Sequence, residues 1–190
     1  YKKKLFINIG VGAYLLWFVF LTFSQSKVWK DSKTLWTDVI NKYPETAVAY
    51  NNRGVVLMNE DQLDIALSDF NNAIKYKKDY FEAISNTGTV YDKMGKYDLA
   101  VSNYNAALQI NPGYVTAMFN RGLTYVTLKQ FDQAVADYTN ALQHDKKNHQ
   151  LFYSRAIAYN KYGKVDLAVK DYSHAIALNP YYDDAYINRG

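Results

Sequence analysis

FEAISNTGTVYDKMGKYDLAVSNYNAALQINPGY (81–114) and VTAMFNRGLTYVTLKQFDQAVADYTNALQHDKKN (115–148), written one beneath the other, carry matching residue types without a gap. Gly88 stands over Gly122, Ala100 over Ala134, Tyr104 over Tyr138 and Ala107 over Ala141. Stepping outward by the same 34 residues reaches 47–80 on one side and 149–182 on the other, and a fifth block opens at Asp183. The eighth position then reads Gly54, Gly88, Gly122, Ala156 and Gly190, and the twentieth Ala66, Ala100, Ala134 and Ala168. Small residues at both places predict two antiparallel helices in close approach. The twenty-fourth position holds Phe70, Tyr104, Tyr138 and Tyr172, and the twenty-seventh holds Ala73, Ala107, Ala141 and Ala175, which sets an aromatic knob beside a small hole at helical spacing. Asn111-Pro112 and Asn179-Pro180 close the second helix of two blocks, because proline is disfavoured inside a helix. A fixed period of this length is the mark of a repeat array, in which each unit buries its apolar face against the next.

The whole chain has 190 residues, 49% of them hydrophobic, with 9 Gly, 3 Pro and no Cys. That composition excludes a collagen, a disulfide-stapled miniprotein and a disordered tail. Without cysteine there is no thiolate nucleophile and no Cys-ligated zinc. The formal net charge of +4 is unevenly placed: residues 1–43 hold seven Lys against two Asp, and the rest of the chain is close to balanced. The array therefore lacks the clustered basic footprint that phosphate binding needs, and nucleic acid is not expected as a partner.

LFINIGVGAYLLWFVFLTF (5–23) is uncharged throughout, and as a helix it would span roughly 28 Å, the thickness of a bilayer core. Residues 1–26 thus read as a membrane helix with the basic flank Lys2, Lys3 and Lys4. The positive-inside tendency puts its N-terminus in the cytoplasm and the array outside it, periplasmic or luminal, with Lys27, Lys30 and Lys33 pulling the other way.

The 34-residue pattern resembles the tetratricopeptide repeat (TPR) family over residues 47–190. The resemblance implies an all-α fold of helix-turn-helix units stacked into a right-handed superhelix with a concave groove. Counted backwards in the same register, Trp36 falls at the twenty-fourth position and Val39 at the twenty-seventh, so residues 27–46 read as a junction whose helix, from about Asp31 to Lys42, is a lone second helix covering the first repeat. Gly190 falls inside the first helix of the fifth block, and Tyr1 stands where a start methionine would, so the reading expects further chain on both sides.

No catalytic constellation is visible, and neither a cofactor nor a small-molecule substrate is expected. His144, His149 and His174 have neither metal-ligand nor triad spacing, and the repeated glycines are isolated rather than a phosphate-cradling loop. The seventh and twenty-third positions vary together: Arg53 accompanies Asp69, Arg121 accompanies Asp137 and Arg155 accompanies Asp171, whereas Thr87 accompanies Asn103. Joint loss of both charges points to an ion pair or hydrogen bond between the two helices of one repeat.

The sixth position reads Asn52, Asn86, Asn120, Ser154 and Asn188. In the TPR resemblance this face of the first helix lines the groove, and a regular asparagine series is similar to that of peptide-binding TPR arrays in protein glycosyltransferases. A carboxamide offers both donor and acceptor, so it can satisfy an extended peptide backbone whatever the peptide's side chains. Glu82, Ser85, Phe119 and Tyr153 at the second and fifth positions complete the expected groove, a binding site for a protein or peptide. A clamp for acidic C-termini would need Lys or Arg at these positions, and the complete repeats have none there; Lys93 and Lys161, at the thirteenth, are the only basic candidates. The junction from Ser26 through Gly54 also resembles the boundary between the last membrane span and the TPR array of polytopic membrane glycosyltransferases, such as the transmembrane-and-TPR O-mannosyltransferases, through Trp29, Leu35, Trp36, Pro44 and Asn52. The sequence is thus read as a membrane-anchored interaction module, with an acceptor-binding arm of such an enzyme and a structural scaffold as alternatives.

Overall fold

A computed structural model describes residues 31–190. The apolar run 5–23, the basic flank before it and the start of the junction lie outside the described residues, and among those described no helix is long and apolar enough to cross a membrane. The described chain is all α-helical, with ten helices and no strand. It divides into two compact units, one ending at Tyr76 and the other running from Lys77 to Gly190.

The first unit holds α1 (Ser32–Lys42), α2 (Ala47–Asn59) and α3 (Leu63–Tyr76). Asp31 starts α1 as its N-cap, its side chain accepting from the Thr34 amide, which satisfies one of the donors a helix start leaves open. α2 and α3 form a hairpin, and α1 packs on α2 with Ile40 buried and Lys33 Nζ on Glu60 at 2.6 Å.

The second unit holds α4 (Phe81–Lys93), α5 (Tyr97–Ile110), α6 (Val115–Thr127), α7 (Phe131–His144), α8 (His149–Lys161), α9 (Val165–Leu178) and α10 (Asp183–Arg189). α4 pairs with α5, α6 with α7 and α8 with α9, each hairpin stacking on the next. Successive first helices also touch, α4 on α6 and α6 on α8, whereas successive second helices make no comparable contact. The first helices of this unit therefore form the inner layer and the second helices the outer one.

Each hairpin is held by the knob and hole read from the sequence. Phe70, Tyr104, Tyr138 and Tyr172 are buried almost completely, as are all eight alanines at the twentieth and twenty-seventh positions. Burial of one such aromatic ring contributes about 3–5 kcal/mol against alanine. Gly54, Gly88 and Gly122 lie so close to the ring of their own repeat that an added Cβ would stand 2.7–2.8 Å from it.

The turn between the two helices follows one plan. The residue at the fifteenth position takes a left-handed conformation in all four repeats: Asp61 and Lys129 at φ 60°, Gly95 at 72° and Gly163 at 79°. The amide that follows reaches back across six residues, from Gln62 to Leu57, Lys96 to Tyr91, Gln130 to Tyr125 and Lys164 to Tyr159, at 2.8–2.9 Å. This is the Schellman arrangement, which closes a helix by satisfying its last carbonyls. At the other end, Asn111 and Asn179 precede proline and are extended (φ −127° and −135°), as the proline ring requires of its predecessor. Asp145 has the same shape (φ −134°) without a proline, so the helix ends there by packing and not by the proline alone.

Candidate peptide-binding face

Asn86, Asn120 and Asn188 lie on α4, α6 and α10 of the second unit, half-buried in the first two and exposed in the third. Two of them are tied to the preceding repeat. Asn120 Nδ2 donates to Thr89 Oγ1 at 3.3 Å, and Asn188 Nδ2 donates to Tyr153 Oη at 3.0 Å and to the Asp184 carbonyl at 2.8 Å. Thr89 Oγ1 accepts from Tyr104 Oη at 3.2 Å as well, so one hydroxyl joins the inner layer to the core ring. In the first unit, the carbonyl oxygen of Asn52 accepts from Asn51 Nδ2 at 3.3 Å. Asn52, Asn120 and Asn188 each thus spend one end of the carboxamide in an internal bond.

The fifth position divides. Ser85 is only 1% exposed, so it is part of the core and not of the groove surface, a correction to the sequence reading. The small side chain sinks between packed helices, where the larger Phe119 and Tyr153 stay partly exposed. Phe119 leans on Tyr138 with ring centroids 6.0 Å apart, and Tyr153 on Tyr182 at 4.8 Å and Tyr172 at 5.8 Å. Burial first and then the Asp184 charge raise the Tyr153 phenol above its ordinary pKa, against the pull of the Asn188 bond, so it remains a neutral hydroxyl. Phe119 also lines a recess of about 160 Å³ with Val115, Thr116, Asn148, Gln150 and Leu151. Glu82 is partly buried near Tyr80 and Tyr114, and its charge adds to burial in raising both phenols.

The seventh-position arginines face the other way, into their own hairpins. Arg53 Nε and Nη2 donate to the two Asp69 oxygens at 2.7 Å each, and Arg155 holds Asp171 at 2.7 and 2.9 Å. Arg121 grips Asp137 in the same fork, at 2.7 and 2.5 Å. All three aspartates are buried, so removing either partner would strand a charge in the interior. The remaining nitrogen of each of these three arginines donates to the twenty-fifth residue of the preceding block, Arg53 to Thr37, Arg121 to Asn105 and Arg155 to Thr139 at 3.0 Å, and Arg189, which has no such fork among the described residues, donates likewise to Ser173 at 3.3 Å. In the three forked cases one guanidinium thereby joins both helices of its repeat to the block before. Sequence reading missed the twenty-fifth position because its residue types differ, although each carries an oxygen that can accept. In the second repeat Thr87 bonds back to the Ala83 carbonyl and Asn103 to the Leu99 carbonyl, each within its own helix, and no fork forms.

Among the described residues no group of three or more His, Asp or Glu could hold a metal ion. His174 Nδ1 lies 3.8 Å from Asp171 and His149 meets Asn179 and the Tyr182 ring, while His144 lies against Gly113, so the three histidines serve separate packing sites.

Tetratricopeptide-repeat family profiles match residues 47–80 and 115–148, and a TPR-repeat profile matches residues 88–129. No curated protein matches the chain by sequence. Among solved structures the chain is similar to YrrB, described as a TPR protein with an unusual peptide-binding site, at 21% identity and a TM-score of 0.68 over 81% of this chain and 79% of that one. It is similar to MamA from Desulfovibrio magneticus RS-1 at 17% identity and a TM-score of 0.69, over 76% and 81% of the two chains. It is also similar to the first TPR of Spaghetti (RPAP3), solved with the HSP90 peptide SRMEEVD, at 27% identity and a TM-score of 0.56 over 57% of this chain and 86% of that one. The repeat period, the hairpins with their glycine–aromatic contacts and the family profiles agree: the chain belongs to the tetratricopeptide-repeat family.

Proposed function

We propose that this protein is an interaction module that holds an extended peptide or partner segment along the inner layer of its second unit. The observation that carries the reading is the row of carboxamides on α4, α6 and α10 with the hydroxyls of Thr89 on α4 and Tyr153 on α8, beside a recess lined by Val115, Phe119 and Leu151. A carboxamide carries both a donor and an acceptor, which suits a peptide backbone, and a small partly apolar recess suits one side chain. The peptide-binding site in the description of YrrB and the SRMEEVD segment bound to the Spaghetti repeat support the reading. The uncharged run 5–23 supports anchoring in a membrane, with the array on the side away from the lysine-flanked terminus.

The test is peptide binding by the full chain in detergent, compared with Asn86→Ala and Asn120→Ala, with helicity followed by circular dichroism. Binding that falls at least tenfold while helicity stays supports a peptide held on this face. Undiminished binding by both variants assigns contact to the outer layer and sinks the proposal.

A further inference from the structure

Glu82 stands apart from the other acidic residues of the second unit. Its Oε2 is buried with no hydrogen-bond partner among the described residues, and none of the ion pairs there involves it. A carboxylate oxygen withdrawn from water without a donor is costly, so a donor brought to it recovers that loss. Lys77 does not supply one: its Nζ sits over the Tyr80 ring at 4.7 Å. The second, fifth and sixth positions of this unit carry no Lys or Arg, so no cation at those positions competes for Glu82. Tyr114, close enough to feel the Glu82 charge, adds an aromatic face of the kind that attracts cations. One repeat further along the same edge, Val115, Phe119 and Leu151 line the recess.

We infer that this face selects a basic peptide: a Lys or Arg side chain meets Glu82, and an apolar side chain further along enters the Val115–Phe119–Leu151 recess. The inference rests on the peptide-holding reading and names its ligand class. Neighbouring helices lie roughly 10 Å apart and an extended peptide advances about 3.3 Å per residue, which sets the two side chains roughly three or four residues apart. Charge complementarity thus favours a basic segment over an acidic C-terminus, for which this layer offers no cation at the matching positions.

The test is selection from a random-sequence peptide library on the full chain and on Glu82→Gln and Glu82→Lys, each checked by circular dichroism. Peptides captured by the native chain are expected to be enriched severalfold in Lys or Arg at one place, with an apolar residue three or four positions away. Glu82→Gln should lose the cation enrichment, weakening the best basic peptide about tenfold, as expected for a charged hydrogen bond, and keep the apolar one. Glu82→Lys should turn the preference acidic. Cation enrichment that survives Glu82→Gln, or acidic enrichment by the native chain, overturns the inference and leaves peptide holding intact. Capture without enrichment overturns the inference alone, and no capture of any peptide overturns both. Self-association of the native chain that Glu82→Gln abolishes would assign the face to a second copy and overturn the peptide ligand.

Discussion

A Cβ built on Gly122 would stand 2.7 Å from Cε1 of Tyr138, nearer than carbon atoms tolerate. The glycine is thus fixed by the ring that it faces and not by helix propensity, on which alanine would be the better residue. Gly122→Ala is expected to destabilise the chain by about 1–3 kcal/mol as the ring is pushed out of its well. Urea denaturation checks it. The fourth repeat shows the accommodated form, with Ala156 packed in the cluster that holds Tyr172.

Tyr104 and Tyr138 occupy the same place in successive repeats but differ at the hydroxyl. Tyr104 Oη donates to Thr89 at 3.2 Å, whereas Tyr138 Oη is buried without a partner among the described residues. Tyr104→Phe is expected to cost about 1 kcal/mol, and Tyr138→Phe to be neutral or stabilising, since it removes an unsatisfied polar atom. Melting temperatures of the two variants should therefore move apart.

Burial pushes the Tyr104 phenol from 10.0 to about 12, and pushes Tyr138 up as well. A folded-state pKa above the unfolded one means that the contribution is fully present below about pH 10 and is lost as pH rises from there through about 12. The urea midpoint should fall steeply across that window. Tyr104→Phe should lessen the fall, which titration at several pH values would measure.

Lys129 holds φ 60° at the turn where Gly95 and Gly163 stand in two other repeats. A left-handed lysine costs roughly 1 kcal/mol relative to glycine, less the added freedom glycine brings to the unfolded chain. Lys129→Gly is therefore expected to be neutral or to stabilise by up to about 1 kcal/mol, while Gly95→Ala destabilises by about as much. Urea midpoints check both, and no change in either variant would show that the turn does not set the stability of its hairpin.

How much could be read from the residues depends on how each contact repeats. Gly54 with Phe70 and Gly88 with Tyr104 recur at fixed places with fixed chemistry, so the hairpins were legible from spacing alone. Position fifteen was not, because Asp61 and Lys129 share no residue type with Gly95 and Gly163; closing the hairpin imposes the backbone shape on whatever residue stands there. Ser85 was read as surface and lies in the core, because a side chain's exposure depends on how deeply the neighbouring helices cover it.

The sequence by itself determined the family, the repeat register, the small-to-aromatic packing and the pairing of arginine with aspartate, since all of these follow from local periodicity and paired variation. Tertiary structure alone decided which end of Asn120 and of Asn188 is spent within the array, that the third arginine nitrogen bridges to the preceding repeat, and that the Glu82 oxygen is buried without a donor. Those properties belong to the surfaces between repeats. They arise when one hairpin covers another and displaces water from polar atoms, an event that residue spacing does not encode.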